Sequence, residues 1–484
     1  MLKVRSVRFN FIMNIILTAS NIIFPLITYP YVSRVLLPAG VGKVNFATSV
    51  VSYFSMIAVL GVPTYGIRAC AQVRDDKEEL SRRVQEILII NLGISIFVYA
   101  AYFGAICNIP RLQQDAGLFY VMGTTIIFNV VGMEWLYKGL EQYSYIAVRS
   151  ILFKFLGIVL MFLLVRDTGD YIIYGAISIF AGVGSNILNF LNARKFVSVR
   201  PVWKYCFRRH WKPIVFFFMM SVATTIYTNL DTVMLGFMKS DVDVGYYSTA
   251  VKVKGLLVSF VTALSTVLLP RVSYYIEQGL KEEFVRVSQK ALDFIVVIAL
   301  PVSAYFVLYA KESIYLLSGE NFTGSIVPMQ IIMPTVFFIG LTNVIGMQIL
   351  VPLGKEKLVF VSVTAGAIID LIINYITIPV MASSGAALGT LIAEAVVLVV
   401  QLWVVRKQIR VLFGQVQFLK ILVSVILSSF CSVWIKMLAL GNLLSLILSG
   451  GIFAVVYGVC LLWMKEPFAI QMLTELKKFR LTNK

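Results

Sequence analysis

Histidine is almost absent: His210 is the only one among 484 residues, and it sits in a basic stretch. The five cysteines, Cys70, Cys107, Cys206, Cys431 and Cys460, are scattered and show no metal-ligand spacing. No zinc centre is expected, and no cofactor. No activated nucleophile and no phosphate-cradling loop rises above background, so an enzyme is not expected either. Charge is scarce as well, at 14% of residues, and acids are outnumbered by bases, 24 to 42. In a soluble protein a net charge of +18 would point to nucleic acid. Here no long basic run accompanies a soluble fold and no recognition motif is present, so nucleic acid is not expected as a partner.

Apolar residues fill the space, at 59%. A soluble chain of this length would need a more polar exterior, whereas lipid as solvent removes that need. Lys3, Arg5 and Arg8 ahead of an apolar run imitate a signal peptide. The run continues through Tyr29 and many more follow, which makes it an uncleaved first helix. Apolar segments lie near 9–30, 44–63, 87–107, 117–136, 150–165, 171–191, 213–236, 246–269, 291–310, 326–351, 359–379, 385–405, 419–439 and 443–463. Each must satisfy its own backbone in lipid, so the expectation is an all-α integral membrane protein of about fourteen spans.

Orientation follows from the lysines and arginines. With the N-terminus inside, 33 of the 42 fall on the cytoplasmic side and 7 outside, while Lys252 and Lys254 lie within a span. Both termini are therefore expected in the cytoplasm of a cell-membrane protein. Two cytoplasmic connections stand out: Arg68 to Glu86, of mixed charge, and Ala193 to Pro213, rich in arginine and lysine. The second reads as a linker, giving an N-terminal lobe 1–192, the linker 193–212, a C-terminal lobe 213–405, and two further helices with a tail in 406–484. Its charge is explained by topology alone, or by gathering anionic headgroups as well. Gly42, Ala47 and Arg68 recur as Gly245, Ala250 and Arg271, each at an offset of 203. Parallel repeats imply a pseudo-twofold axis along the membrane normal and a central cavity.

Ionisable groups inside spans cost about 2.5–3.5 kcal/mol each on insertion scales. Asp231, Lys252, Lys254, Asp370 and Glu394 are of this kind, with Asn229 and Asn374 as polar neighbours; Lys154, Arg34, Arg68 and Arg271 lie nearer helix ends. Asp231 and Lys252 fall at similar depth on consecutive helices, so they can pair, and the pair either staples the hairpin or leaves Lys252 for an anion. Asp370 and Asn374, spaced i, i+4, share a helix face, and Glu394 falls near mid-membrane. Such carboxylates either bind H+ or Na+ or serve as buried hydrogen-bonded acids.

Several ordered stretches then carry a resemblance. They are Tyr31 to Leu36 with Pro38 and Gly42, Tyr65 to Arg68, Gly139 to Glu141, Asp231 to Gly236, Gly245 to Lys252, and Leu269-Pro270-Arg271. Leu350 to Lys355, Asn374 to Pro379, Gly385 to Thr390 and Glu394 complete the series. With these the chain resembles Wzx-type polysaccharide-unit flippases of the multidrug/oligosaccharidyl-lipid/polysaccharide exporter superfamily over nearly its whole length. Leu37 departs from the pattern, which expects glycine before the proline. The resemblance implies two six-helix lobes plus two C-terminal helices, and alternating access. It implies as substrate an oligosaccharide on undecaprenyl diphosphate, for which Arg34, Arg68, Lys252 and Arg271 are the expected binding residues. Asp231, Asp370, Asn374 and Glu394 are the expected ion-coupling or structural set. Membrane lipids, a polysaccharide polymerase and glycosyltransferases are the expected partners. Alternatives on the same architecture are a multidrug or small-cation exporter and a flippase for the peptidoglycan lipid precursor; a membrane scaffold for glycosyltransferases is the alternative of another class.

Overall fold

In the computed structural model, residues 7–198, 200–407, 413, 417–438 and 440–482 are described. Lys3 and Arg5 lie outside that set, as do the side chains of Arg8, Leu269 and Pro270. The described chain is helical and holds no strand. Eleven helices among these residues are long and apolar enough to cross a membrane, or twelve if one bent pair, Glu320–Ile332 with Pro334–Leu350, counts as a single span. That pair bends by 43° at Met333, where the following Pro334 has no N–H to continue the ladder.

The first of the eleven, Ile12–Ala71, is 60 residues long. At 1.5 Å per residue it would reach about 90 Å, three times the ~30 Å hydrocarbon core, so one straight crossing is impossible. Within it the chain breaks at Leu37, in the helix Val7–Val59, where the backbone stands at φ 57°, ψ 176°. That region is essentially reserved for glycine, because a Cβ there meets the neighbouring carbonyl. The position where the family pattern expects glycine is therefore the one where the chain takes a glycine conformation. Leu37→Gly is expected to raise the melting temperature in detergent. About 1–3 kcal/mol of strain is relieved, against about 0.5–1 kcal/mol of added chain entropy in the unfolded state. An unchanged or lowered melting temperature would mean that the Leu37 side chain contributes more by packing than its backbone costs.

Backbone packing divides the chain into two compact units, Met1–Gly245 and Tyr246–Lys484. In the first, Val7–Val59 packs against Ala116–Val131, Tyr143–Leu164 and Arg208–Met238. The fifth apolar segment, short in the sequence, is a full helix of 22 residues, Tyr143–Leu164. It begins seven residues earlier than the apolar run because Arg149 lies inside it and is buried. Gly42 and Gly245, related by the offset of 203, lie against each other in this unit. A Cβ on Gly42 would fall on the Asp241 carbonyl, and one on Gly245 on the Pro38 carbonyl, so only glycine lets these backbones meet. On the same side Lys43 pairs with Asp115 at 2.7 Å, and Arg111 holds Asp241 while donating to the Gly236 carbonyl at 2.8 Å.

In the second unit, Glu356–Met381 and Ser383–Val404 form a tight antiparallel hairpin about Ala382, itself at φ 48°. The last two spans, Phe418–Leu438 and Asn442–Trp463, are fastened to Lys281–Leu308 and the residue after it by tyrosine hydroxyls. Tyr309 donates to the Ser432 carbonyl at 2.7 Å, Tyr305 to the Leu446 carbonyl at 2.9 Å, and Tyr457 to the Val297 carbonyl at 2.8 Å.

Candidate functional site

Each unit contains its own set of polar side chains in apolar surroundings. In the first unit the prominent members are cations. Lys154, 9% exposed, donates to the Ser20 hydroxyl at 2.8 Å and to the Asn21 amide oxygen. Arg149, 5% exposed, donates to the Ser185 carbonyl at 2.6 Å and to the Asn186 amide oxygen at 3.2 Å. Among the described residues neither makes an ion pair. Their direct hydrogen-bond acceptors are all neutral, with the Glu134 carboxylate acting on both only at longer range, so much of the desolvation penalty of the two cations remains. A π-helical turn, Phe180–Gly184, lies just before Ser185, on the strand of helix that supplies these acceptors; such turns often mark functional sites.

In the second unit the members are carboxylates and amides. Asp370, Asn374 and Glu394 are 2%, 0% and 5% exposed. Three contacts fix the register of their hairpin. Thr377 donates to the Gly385 carbonyl at 3.0 Å, Gly389 packs on the Asn374 side chain, and Gln401 donates to the Ser362 hydroxyl at 3.2 Å. In that register Asp370 and Glu394 fall at the same level. Gly385 and Gly389 make the approach possible. A Cβ on the first would meet the Thr377 carbonyl at 2.5 Å, and one on the second would fall on the Asn374 amide oxygen, 3.0 Å from Asp370 Oδ1. Beside the hairpin, Gln348 is fully buried on a π-helical turn, Val344–Leu350. Tyr247 meets the Thr390 hydroxyl at 2.9 Å.

The remaining sequence-derived residues are placed as follows. Arg34 is exposed and donates to the Pro30 carbonyl at 2.6 Å, one turn back on its own helix. Arg68 is exposed near the end of the helix Val62–Ala71. Arg271 is exposed, with Nε donating to the Tyr275 hydroxyl at 2.8 Å. Asp231 is 7% exposed in the first unit; Lys252 is half-buried in the second. Asp370, Asn374 and Glu394 are the expected residues that one hairpin brings together.

Sequence reasoning missed Arg149, and it left Lys154 at a helix end. The available signal was two cations five residues apart beside a run of 11 apolar or small residues, Phe155 to Val165, a position where one basic residue suffices for topology. It also missed a cluster at the other face of the first unit. Glu86, fully buried, accepts from His210 Nε2 at 2.6 Å, from Arg209 at 2.6 and 2.9 Å, and from the Cys206 amide. His210, also fully buried, meets the Tyr65 hydroxyl through Nδ1 at 2.7 Å. The lone histidine is thus a packed structural residue, and the two connections singled out in the sequence are fastened to each other.

Long apolar helices in two units, with charged side chains buried among them, define a polytopic helical membrane protein. The solved structures agree on the fold. A lipid II flippase, MurJ, in an inward closed conformation matches with a TM-score of 0.71 at 16% identity, over 94% of this chain and 99% of that one. A multidrug resistance MATE family transporter of the MOP superfamily, in an inward-facing conformation, matches with a TM-score of 0.62 at 15% identity, over 81% and 95%. The family model for polysaccharide biosynthesis proteins covers residues 7–275, and the chain belongs to that family. The MatE model covers residues 217–376. A protein named as an O-antigen transporter in Escherichia coli (strain K12) is 22% identical over 403 residues, 83% of this chain and 97% of its own. One so named in Shigella dysenteriae is 22% identical over 418 residues, 82% and 99%. The resemblance to Wzx-type flippases of the MOP superfamily is borne out.

Proposed function

We propose that this protein is a flippase that carries an oligosaccharide repeat unit on undecaprenyl diphosphate from the inner to the outer leaflet of the cell membrane, by alternating access, for surface polysaccharide synthesis. The observation that carries the reading is the pair of buried cations, Arg149 and Lys154, whose hydrogen-bond acceptors are all neutral. A drug exporter for cations would gain nothing from them, whereas a diphosphate headgroup needs positive charge in a place water does not fill. The long polyprenyl tail can stay in lipid, so the protein needs a polar path for the headgroup only. Arg34, Arg68, Lys252 and Arg271 serve the same anion at other stages of its passage. Asp370 and Glu394, level with each other beside Asn374, are the groups through which H+ or Na+ would drive the cycle, with Asp231 as a further acid. Fourteen spans, two six-helix lobes joined by 193–212 plus two C-terminal helices, with both termini cytoplasmic, complete the proposal. The protein acts as a transporter and not as an enzyme, next to the glycosyltransferases that build the unit and the polymerase that consumes it.

The test is a strain lacking this protein and any redundant flippase. The lipid-linked unit is expected to accumulate on the inner leaflet while its synthesis continues. Surface polysaccharide at its normal level in that strain would rule the function out.

A further inference from the structure

A cavity of about 650 Å³ lies on the basic face of the first unit, between the start of the helix Lys77–Asn108 and the linker residues Ser198 and 200–204. Its lining includes Lys77, Glu78, Arg82, Arg200, Trp203 and Lys204. The linker side is held to the helix by Gln85 and Ser81. Gln85 donates to the Ser198 and Arg200 carbonyls at 2.7 and 2.9 Å, and accepts from the Val202 amide at 3.1 Å and the Tyr205 hydroxyl at 2.8 Å. The Ser198 amide donates to the Ser81 hydroxyl at 2.8 Å. These bonds keep Lys204 at φ 74°, a conformation a lysine rarely adopts unless its surroundings impose it.

Charge around the cavity is sorted. Arg82 is neutralised by Glu78 and Glu79, Arg83 by Glu79, Arg209 by Glu86 and Glu79, and Arg74 by Glu141. Lys77, Arg200 and Lys204 make no ion pair among the described residues, and all three face the cavity. Three uncompensated cations on a fixed wall match a ligand of two or more negative charges better than a singly charged phosphodiester. The position fits a lipid. The apolar run of this helix starts near Ile87, so Lys77 to Arg82 lie five to ten residues beyond it, about 8–15 Å, at the level of the headgroups and just outside. Trp203, 78% exposed on the same wall, is the aromatic type favoured at the membrane–water boundary.

We propose that this cavity binds the phosphate-bearing headgroup of an inner-leaflet lipid with two or more negative charges, through Lys77, Arg200 and Lys204. From the function proposed above it takes only the assignment of the basic face to the cytoplasm. Failure of the cavity to bind, with lipid flipping intact, would overturn the site and leave that function standing. The experiment uses the full chain in nanodiscs of phosphatidylcholine, titrated with farnesyl diphosphate, dihexanoyl phosphatidylglycerol or inorganic pyrophosphate. The readout is the fluorescence change that disappears in Trp203→Phe. Farnesyl diphosphate is expected to bind at least about tenfold tighter than the other two, and Lys77→Gln/Arg200→Gln/Lys204→Gln to weaken it at least about tenfold. Arg194→Gln/Lys195→Gln/Lys212→Gln, which removes the same charge outside the cavity, is expected to leave that affinity unchanged. Equal weakening by the two triple variants would reduce the effect to bulk surface charge and overturn the proposal. Pyrophosphate binding as tightly as farnesyl diphosphate would overturn the lipid ligand, and phosphatidylglycerol binding as tightly would overturn the requirement for two charges. An unaltered melting temperature in the cavity variant shows that a lost affinity is not lost folding.

Discussion

Glu86→Ala is expected to destabilise the first unit by about 3–5 kcal/mol, the usual effect of removing one partner from a buried ion pair. Glu86 is the sole acceptor that reaches the His210 ring, the Arg209 guanidinium and the Cys206 amide together. Without it, Arg209 keeps Glu79, but His210 keeps only Tyr65, and the Cys206 N–H loses its acceptor. The linker then detaches at its most tightly held point. The expected readouts are a lower melting temperature in detergent and faster tryptic cleavage within residues 200–209. Glu86→Gln, which can still accept from Cys206, is expected to fall between the two. A Glu86→Ala protein that melts and resists trypsin like the parent would show that the cluster adds nothing to the fold.

Lys154→Met is expected to behave in the opposite way, with folding retained and transport lost. Methionine has nearly the length of lysine and no charge to desolvate. The partners left behind, the Ser20 hydroxyl and Asn21 amide, are neutral. Serine already bonds the Leu17 carbonyl at 2.6 Å, so it keeps a partner. The melting temperature is therefore expected to change little or rise. One charge-assisted contact to a diphosphate is worth about 1.5–3 kcal/mol, so transport is expected to fall at least about tenfold at normal expression. Normal transport in the variant would remove Lys154 from the substrate path. A large drop in melting temperature would instead make it a structural residue.

These two residues show where the sequence was legible. Helices in lipid announce themselves by length and hydropathy, so most of the apolar runs fall within helices, although 9–30 and 44–63 share the helix Ile12–Ala71 and the expected fourteen exceeds the eleven or twelve spans among the described residues. Asp370, Asn374 and Glu394 were visible because ionisable and strongly polar residues stand out inside an apolar run. Leu37 was visible as the one residue out of pattern, and the backbone explains why. Lys154 and Arg149 were harder, since a cation near the end of an apolar run is ordinary under the positive-inside rule. Whether it snorkels to water or turns inward depends on Ser20 and Ser185, residues 134 and 36 positions away. Glu86 was not legible at all. Its partners lie 120 to 124 positions along the chain, and an acid at the start of a span looks like part of a charged loop until the fold brings His210 to it.

The most direct test of the central claim is transport by the purified protein alone. Proteoliposomes carrying a fluorescent oligosaccharide on undecaprenyl diphosphate would be treated from outside with an impermeant quencher of the label. The account predicts quenching of nearly all the label when the protein is present, because inner-leaflet molecules reach the outer leaflet. Lipid-only vesicles should retain the inner-leaflet share. Protein-containing vesicles that protect the same share as lipid alone would contradict it.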